Sequence, residues 1–75
     1  MFTIYGKKDC SLCESAKTLI SMQKYEYEYK ELDKDYTLDE LINILPIPPR
    51  TFPQIFNDGV YIGTFAELGK LFKKP

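Results

Sequence analysis

Histidine is absent from this 75-residue chain, and cysteine occurs only twice. A structural zinc site needs four ligands, usually cysteine and histidine, so one copy of the chain cannot complete such a site. Long apolar runs are also missing, and we therefore expect no membrane-spanning segment. The chain runs from Met1 directly into a strand-like stretch, which predicts the absence of a signal peptide and a location in the reducing cytoplasm.

A strong charge of one sign is lacking as well, because 10 lysines and arginines nearly balance 11 aspartates and glutamates. The net charge of −1 gives no reason to expect nucleic-acid binding. Seven of the acidic residues fall between Glu26 and Glu40, and we interpret this stretch as a solvated face. Lys7 and Lys8 lie just before the first cysteine, where their charges favour the approach of an anionic partner.

The two cysteines form a Cys-x-x-Cys motif, Cys10-Ser11-Leu12-Cys13, between a strand-like segment and a helical one. A helix that begins at such a pair is typical of a thiol–disulfide redox site. The first N–H groups of a helix are unpaired and carry the positive end of its dipole, so they stabilise the reactive thiolate. A structural disulfide and a pair of inert, buried cysteines are the alternative interpretations.

The length of 75 residues predicts a single domain over residues 1–75. Hydrophobic periodicity predicts the element order β-α-β-α-β-β-α. The predicted strands are Phe2 to Gly6, Tyr25 to Leu32, Gln54 to Phe56 and Val60 to Ile62. Asn57-Asp58-Gly59 joins the last two strands with residues that tolerate a positive φ, which indicates a hairpin.

The first helix is expected to begin at Cys10 or Ser11, and the other two begin at Thr37 and Thr64. Ser11, Thr37 and Thr64 are each followed three residues later by a glutamate, the spacing of a capping box. The last helix is expected to turn four apolar residues inward, namely Phe65, Leu68, Leu71 and Phe72. The basic residues of this segment favour the negative end of its dipole; they are Lys70, Lys73 and Lys74.

Three motifs in this order resemble those of the glutaredoxins, and the resemblance covers nearly the whole chain. They are the segments 5–13 (YGKKDCSLC), 51–56 (TFPQIF) and 61–68 (YIGTFAEL). The chain looks most similar to the small dithiol glutaredoxins of bacteria and bacteriophages. The resemblance implies an α/β thioredoxin fold, in which helices flank a four-stranded mixed sheet.

The resemblance also implies which residues carry the chemistry. Cys10 is expected to be the nucleophile, because it lies nearest the free N–H groups, and Cys13 to be the resolving thiol. The residues expected to bind glutathione are Lys7, Leu12, Thr51, Phe52, Pro53, Gly63 and Phe65. In this scheme Lys7 contacts a carboxylate of glutathione. Pro53 is cis and packs against the cysteine pair, so that the backbone of Phe52 pairs with the substrate backbone.

Two departures from the usual family motifs affect these expectations. Ser11-Leu12 replaces the usual Pro-Tyr between the cysteines, and we expect this change to shift the redox poise. Thr64 stands where the family has a second glycine, and Ala66 stands where it has an acidic residue. That acidic or hydroxyl side chain normally meets the γ-glutamyl end of glutathione.

The sequence therefore predicts a monomeric, glutathione-dependent thiol–disulfide oxidoreductase that reduces protein disulfides and glutathione mixed disulfides. Glutathione is its co-substrate, and no bound metal or organic cofactor is expected. Family analogy adds ribonucleotide reductase as a client. The altered glutathione motif leaves open a glutaredoxin-like protein that is reduced by thioredoxin reductase. The alternative of another class is an iron–sulfur-binding module, although such family members usually carry Cys-Gly-Phe-Ser and this chain has Cys13 and Ser11 instead.

Overall fold

The computed structural model describes residues 1–73, and the elements follow the order that the sequence predicts. The strands are β1 (Phe2–Gly6), β2 (Tyr27–Glu31), β3 (Gln54–Asn57) and β4 (Val60–Gly63). The helices are α1 (Ser11–Met22), α2 (Leu38–Ile44) and α3 (Phe65–Phe72). The expectation for Lys74 lies outside the described residues.

The start of β2 differs from the prediction by two residues. Lys24 has a φ of 64°, which reverses the chain after α1, and the N–H of Tyr25 donates to the carbonyl of Ile20. Tyr25 is thereby held against the end of the helix, so the strand begins at Tyr27. An alternating pattern of tyrosine and charge cannot reveal such a reversal, because the reversal depends on backbone angles and not on side-chain polarity.

The four strands form one mixed sheet in the order β2-β1-β3-β4. Strand β1 is parallel to β2 and antiparallel to β3, and β3 is antiparallel to β4. In this register Tyr5 lies opposite Gln54, and Ile55 lies opposite Gly63. The end of β1, the start of β3 and the end of β4 therefore meet at one end of the sheet, which we call the cysteine end.

The main core lies on one face of the sheet. Alternate residues of a strand point to the same face, and Phe2 and Ile4 of β1 are both buried there. The other buried members of this cluster come from both long helices and from β3: Ala16, Ile20, Ile55 and Leu68. Leu71 is 53% exposed, so the prediction that it points inward is wrong, whereas Phe65 and Phe72 pack against the cluster.

The other face of the sheet carries an aromatic cluster. The ring of Tyr5 contacts those of Tyr36 and Phe56, with centroids 5.1 and 5.6 Å away. Phe56 in turn contacts Tyr61, at 5.3 Å. The hydroxyl of Tyr36 donates to the carbonyl of Gly6 at 2.8 Å. This cluster therefore ties the segment after β2 to the last residue of β1, just before the cysteine loop.

The helix starts distinguish between the predicted caps. Cys10 is the N-cap of α1, since its Sγ accepts the N–H of Cys13 at 3.2 Å; Ser11 is the first helical residue. Glu14, the partner in the predicted Ser11 capping box, instead forms an ion pair of 2.8 Å with Lys17. The capping box of Thr37 with Glu40 is confirmed by both of its hydrogen bonds.

Candidate functional site

The two cysteines are joined in a disulfide at the N-terminus of α1, with their Cα atoms 5.3 Å apart. Cys13 is fully buried, whereas Cys10 is only half-buried. The N–H of Cys13, one of the free N–H groups at the start of the helix, points at the sulfur of Cys10. In the reduced protein this arrangement can favour a thiolate on Cys10, the sulfur that a partner can reach.

The loop before β3 lies against this pair. The Phe52–Pro53 peptide bond is cis, as the sequence predicts, and Pro53 is fully buried. The carbonyl oxygen of Phe52 lies 3.9 Å from the Sγ of Cys10. The backbone of Phe52 is therefore next to the sulfur, where it can contact a molecule bonded to Cys10.

Lys7 comes to the same place from the loop after β1. Its ammonium nitrogen lies 5.7 Å from the centroid of the Phe52 ring, within the range of a cation–π interaction. Lys7 is exposed, so its charge remains available to an anionic ligand. Two loops thus bring the Lys7 ammonium close to the Phe52 ring, and the Phe52 carbonyl close to the sulfur of Cys10.

Two tyrosines hold the cysteine loop by hydrogen bonds to its backbone. The sequence interpretation gave neither of them a role. Tyr29 donates its hydroxyl to the carbonyl of Lys7 at 3.3 Å, and Tyr36 donates to that of Gly6. Burial raises the pKa of both hydroxyls, so they remain protonated donors at neutral pH. The nitrogen of Lys17 lies 4.2 Å from the centroid of the Tyr29 ring, which holds that ring in place.

Gln54 is a second feature without a predicted role, although the TFPQIF motif contains it. It is 3% exposed and is the only polar residue among the buried residues of the range 1–73. Its Nε2 donates to the carbonyl of Thr51 at 2.7 Å, and its Oε1 accepts from the hydroxyl of Tyr61. The available signal was a glutamine in an apolar strand directly after a proline.

The remaining residues expected to bind glutathione surround the cysteine end. Gly63, at the end of β4, has a φ of 132°, and a Cβ there would lie 2.7 Å from the Cγ of Glu67. Phe65 is partly buried and packs its side chain against the core cluster. Leu12 is 48% exposed in the first turn of α1. Thr51 is exposed too, with its carbonyl bound by Gln54.

The hydrogen bonds at the start of α3 show whether Glu67 can replace the acidic residue that the family usually has at the position of Ala66. Glu67 accepts two hydrogen bonds at its Oε1, from the N–H of Thr64 at 2.8 Å and from its hydroxyl at 2.7 Å. These bonds lower the pKa of the Glu67 carboxyl. Its carboxylate is therefore engaged within the helix cap, and the exposed Ala66 has no side-chain oxygen to offer.

The described part of the chain has neither a cluster of metal-binding side chains nor a membrane-spanning helix. Residues 1–73 contain no cluster of three or more cysteine, aspartate or glutamate side chains suited to a metal ion. None of the helices within this range has the length and hydrophobicity needed to cross a bilayer.

Comparison with known proteins identifies the family. The glutaredoxin family model matches residues 2–62, whereas the comparison with curated proteins yields no matching sequence. Among solved structures, reduced Escherichia coli glutaredoxin superposes with a TM-score of 0.78 at 28% identity, over 93% of this chain and 89% of that one.

Two other glutaredoxins are similar in structure. Glutaredoxin 1 from Francisella tularensis, complexed with cacodylate, has a TM-score of 0.76 at 25% identity, over 92% of this chain and 87% of that one. A buckwheat glutaredoxin–glutathione complex has a TM-score of 0.77 at 23% identity, over 92% of this chain and 64% of that one. At 23% identity, the similarity to the buckwheat protein shows a common fold and no more.

The mixed sheet flanked by helices, with a cysteine pair at the start of α1, defines a thiol–disulfide oxidoreductase of the thioredoxin fold. The chain belongs to the glutaredoxin family, since the family model covers most of its length.

Proposed function

We propose that this glutaredoxin uses glutathione to reduce protein disulfides and glutathione mixed disulfides, with Cys10 as the nucleophile and Cys13 as the resolving thiol. The observation that carries the proposal is the environment of the Cys10 sulfur. It lies at the half-exposed start of α1, accepts the N–H of the buried Cys13 and faces the carbonyl of Phe52.

Reduction of a protein disulfide takes two exchanges. The Cys10 thiolate attacks one client sulfur, forming a mixed disulfide, and the other client sulfur leaves as a thiolate. Cys13, once deprotonated, then attacks the Cys10 sulfur; the Cys10–Cys13 bond forms and the second client thiolate leaves. Two electrons have passed to the client, and the disulfide of the structure corresponds to the oxidised product.

Glutathione then returns the pair to its dithiol form. One glutathione thiolate attacks Cys10, which releases Cys13 and leaves glutathione bonded to Cys10. A second glutathione thiolate attacks the sulfur of the bound one, so that oxidised glutathione leaves with Cys10 as a thiolate. A glutathione mixed disulfide of a client needs only Cys10, because the nucleophile attacks the glutathione sulfur and the client leaves.

Glutathione fits the chemistry around Cys10. It is a short peptide with two carboxylates, and Lys7 offers a cation beside the sulfur. The N–H and carbonyl of Phe52 offer a strand-like edge for its backbone. The set Lys7, Leu12, Thr51, Phe52, Pro53, Gly63 and Phe65 is proposed to line this site. The buckwheat glutaredoxin of similar fold forms a complex with glutathione, which supports the same class of ligand.

Two serine variants test the roles of the cysteines. Cys10→Ser is expected to abolish all turnover. Cys13→Ser is expected to lose reduction of protein disulfides but to retain release of glutathione from a glutathionylated peptide, with glutathione and glutathione reductase supplying electrons. The reverse pattern would mean that the two roles are exchanged. Turnover with thioredoxin reductase but none with glutathione would overturn the glutathione dependence.

The same proposal includes a monomeric state, a cytoplasmic location and a client protein. A monomer suffices, because one chain supplies every residue named above. The cytoplasm keeps its glutathione reduced, which suits a glutathione-driven reductase. Ribonucleotide reductase is the proposed client, and the test is whether this protein, kept reduced by glutathione and glutathione reductase, sustains turnover of the client when no other dithiol is present.

A further inference from the structure

Gln54 is a buried polar side chain, and burial of an amide costs free energy unless its hydrogen bonds to water are replaced. Both ends of this amide are used. Its nitrogen donates to the carbonyl of Thr51 and its oxygen accepts from the hydroxyl of Tyr61. Burial raises the pKa of the Tyr61 hydroxyl, so this group remains a donor at neutral pH. Because the carbonyl of Thr51 can only accept, the chain of bonds runs from Tyr61 through Gln54 to Thr51.

Tyr61 is held independently of this chain of bonds. Its ring packs on that of Phe56 at a centroid distance of 5.3 Å, and its strand pairs with β3 opposite Phe56. The Thr51 carbonyl can only accept, so the amide keeps its NH₂ group toward Thr51, and its oxygen is held by the fixed hydroxyl of Tyr61. The amide therefore acts as a rigid link between β4 and the loop before β3.

The bond to Thr51 also determines where the next N–H points. The carbonyl of Thr51 and the N–H of Phe52 belong to one planar peptide unit, in which they point in opposite directions. When Gln54 holds the oxygen inward, the N–H of Phe52 is directed away from Gln54. The carbonyl of Phe52, one peptide further on, faces the sulfur of Cys10 at 3.9 Å.

We propose that Tyr61 and Gln54 form a hydrogen-bond relay that orients the Phe52 backbone for pairing with the peptide backbone of a substrate disulfide. Gln54 is then a positioning residue, and Tyr61 acts through it. The inference rests on the proposed function, since it assigns the relay to the substrate site of that reaction. It adds specificity for disulfides that are attached to a peptide.

The first test compares Tyr61→Phe, Gln54→Met and the double variant in the intact protein. Either single change is expected to raise KM for a glutathionylated peptide by about fivefold with little change in kcat, the effect of losing about one neutral hydrogen bond. The double variant should match Gln54→Met, because Tyr61 acts only through Gln54. Additive effects of the two changes on KM would overturn the relay.

A substrate without peptide groups supplies the discriminating readout. The reduced variants should react with bis(2-hydroxyethyl) disulfide at the wild-type rate in a single turnover without glutathione, because no backbone pairing is involved. An equal loss for both substrates would show general damage to the site and would overturn the proposal. The matched controls are Tyr25→Phe and Gln23→Met, at exposed positions of the same residue types, and both should leave KM unchanged.

Nuclear magnetic resonance separates this inference from the proposed function. Tyr61→Phe should shift the side-chain NH₂ signals of Gln54 and the backbone amide signal of Phe52, and neither control should do so. An unshifted Phe52 amide in Tyr61→Phe would refute the relay even if Gln54→Met fails to fold. Lack of glutathione-dependent turnover by the wild type would refute the proposed function alone, and the amide shift would still decide the relay.

Discussion

At the scale of the residue, position in the helix makes two identical side chains unequal. Cys10 is the half-buried N-cap, and Cys13 is one turn further on and fully buried. Only the first sulfur can be reached by a partner, and it also receives the N–H of the second. These two differences support the proposed roles, with Cys10 as the nucleophile and Cys13 as the resolving thiol.

Lys7 and Lys8 form a natural matched pair for testing the charge beside Cys10, since both are exposed and adjacent. Lys7→Met is expected to raise KM for glutathione by up to about fivefold, because exposed ion pairs contribute about 0.2–1 kcal/mol. Lys8→Met removes an equal charge from a side chain that does not lie over the Phe52 ring, and this change should leave KM for glutathione unchanged. The difference in KM between the two variants should shrink as salt is added. Equal effects of the two changes would show that Lys7 acts only through the net charge of the protein.

Ala66 is the residue at which this chain should use glutathione less well than typical relatives. If glutathione binds as proposed, the amine of its γ-glutamyl end would find no side-chain oxygen at Ala66, and the carboxylate of Glu67 is engaged by Thr64. Ala66→Asp is expected to lower KM for glutathione roughly tenfold, within the value of a charge-assisted hydrogen bond. Glu67→Ala is the companion variant and should leave KM near the wild-type value. If instead Glu67→Ala raises KM and Ala66→Asp does not lower it, Glu67 binds the amine.

At the scale of the element, the end of β1 determines how the cysteine loop departs from the sheet. A Cβ on Gly6 would lie 2.5 Å from the hydroxyl oxygen of Tyr29 and 2.7 Å from its Cε1. The ring that would be displaced is the one that donates to the carbonyl of Lys7. Glycine at this position therefore lets a tyrosine of β2 support the loop that carries Cys10.

Two glycine-to-alanine changes should have opposite effects on the free energy of unfolding. Gly6→Ala is expected to lower it by about 1–3 kcal/mol, the cost of overpacking. Gly69→Ala, in α3, should raise it by about 0.5–1 kcal/mol, because alanine favours a helix and a Cβ there meets no atom within 4 Å. Denaturant titration measures both. A Gly6→Ala protein as stable as the wild type would show that Tyr29 can move without cost.

At the scale of the whole molecule, a small core limits stability. A chain of 75 residues is expected to unfold with a free energy of about 4–11 kcal/mol, at roughly 0.05–0.15 kcal/mol per residue. The main core cluster joins both long helices to β1 and β3. Loss of a single member is therefore expected to remove a large share of the stability.

Leu68 and Leu71 allow this expectation to be tested within one helix, because their exposures are 0% and 53%. Leu68→Ala is expected to lower the free energy of unfolding by about 2–5 kcal/mol, through lost burial and the cavity left behind. Leu71→Ala should change it by no more than about 0.5 kcal/mol. Thermal and denaturant unfolding of the two variants give the comparison; similar losses would mean that Leu71 is covered in solution.

The amino-acid sequence alone determined the features that depend on neighbouring residues. The element order, the cysteine pair at a helix start and the Thr37–Glu40 box follow from short-range periodicity and capping chemistry, which act within one or two turns. The cis bond before Pro53 and the fold came from the family motifs, which are also contiguous stretches. The cap at Cys10 rather than Ser11, and the start of β2, required the backbone angles themselves.

Only the tertiary structure decided which distant groups meet at the site. The Phe52 carbonyl reaches Cys10 across 42 positions, and the hydroxyls of Tyr36 and Tyr29 reach Gly6 and Lys7 across 30 and 22. Such contacts depend on strand order and register, and a pattern of polarity along the chain contains neither. For the same reason periodicity placed Leu71 inward, because it defines an apolar side of a helix but not how much of that side the rest of the fold covers.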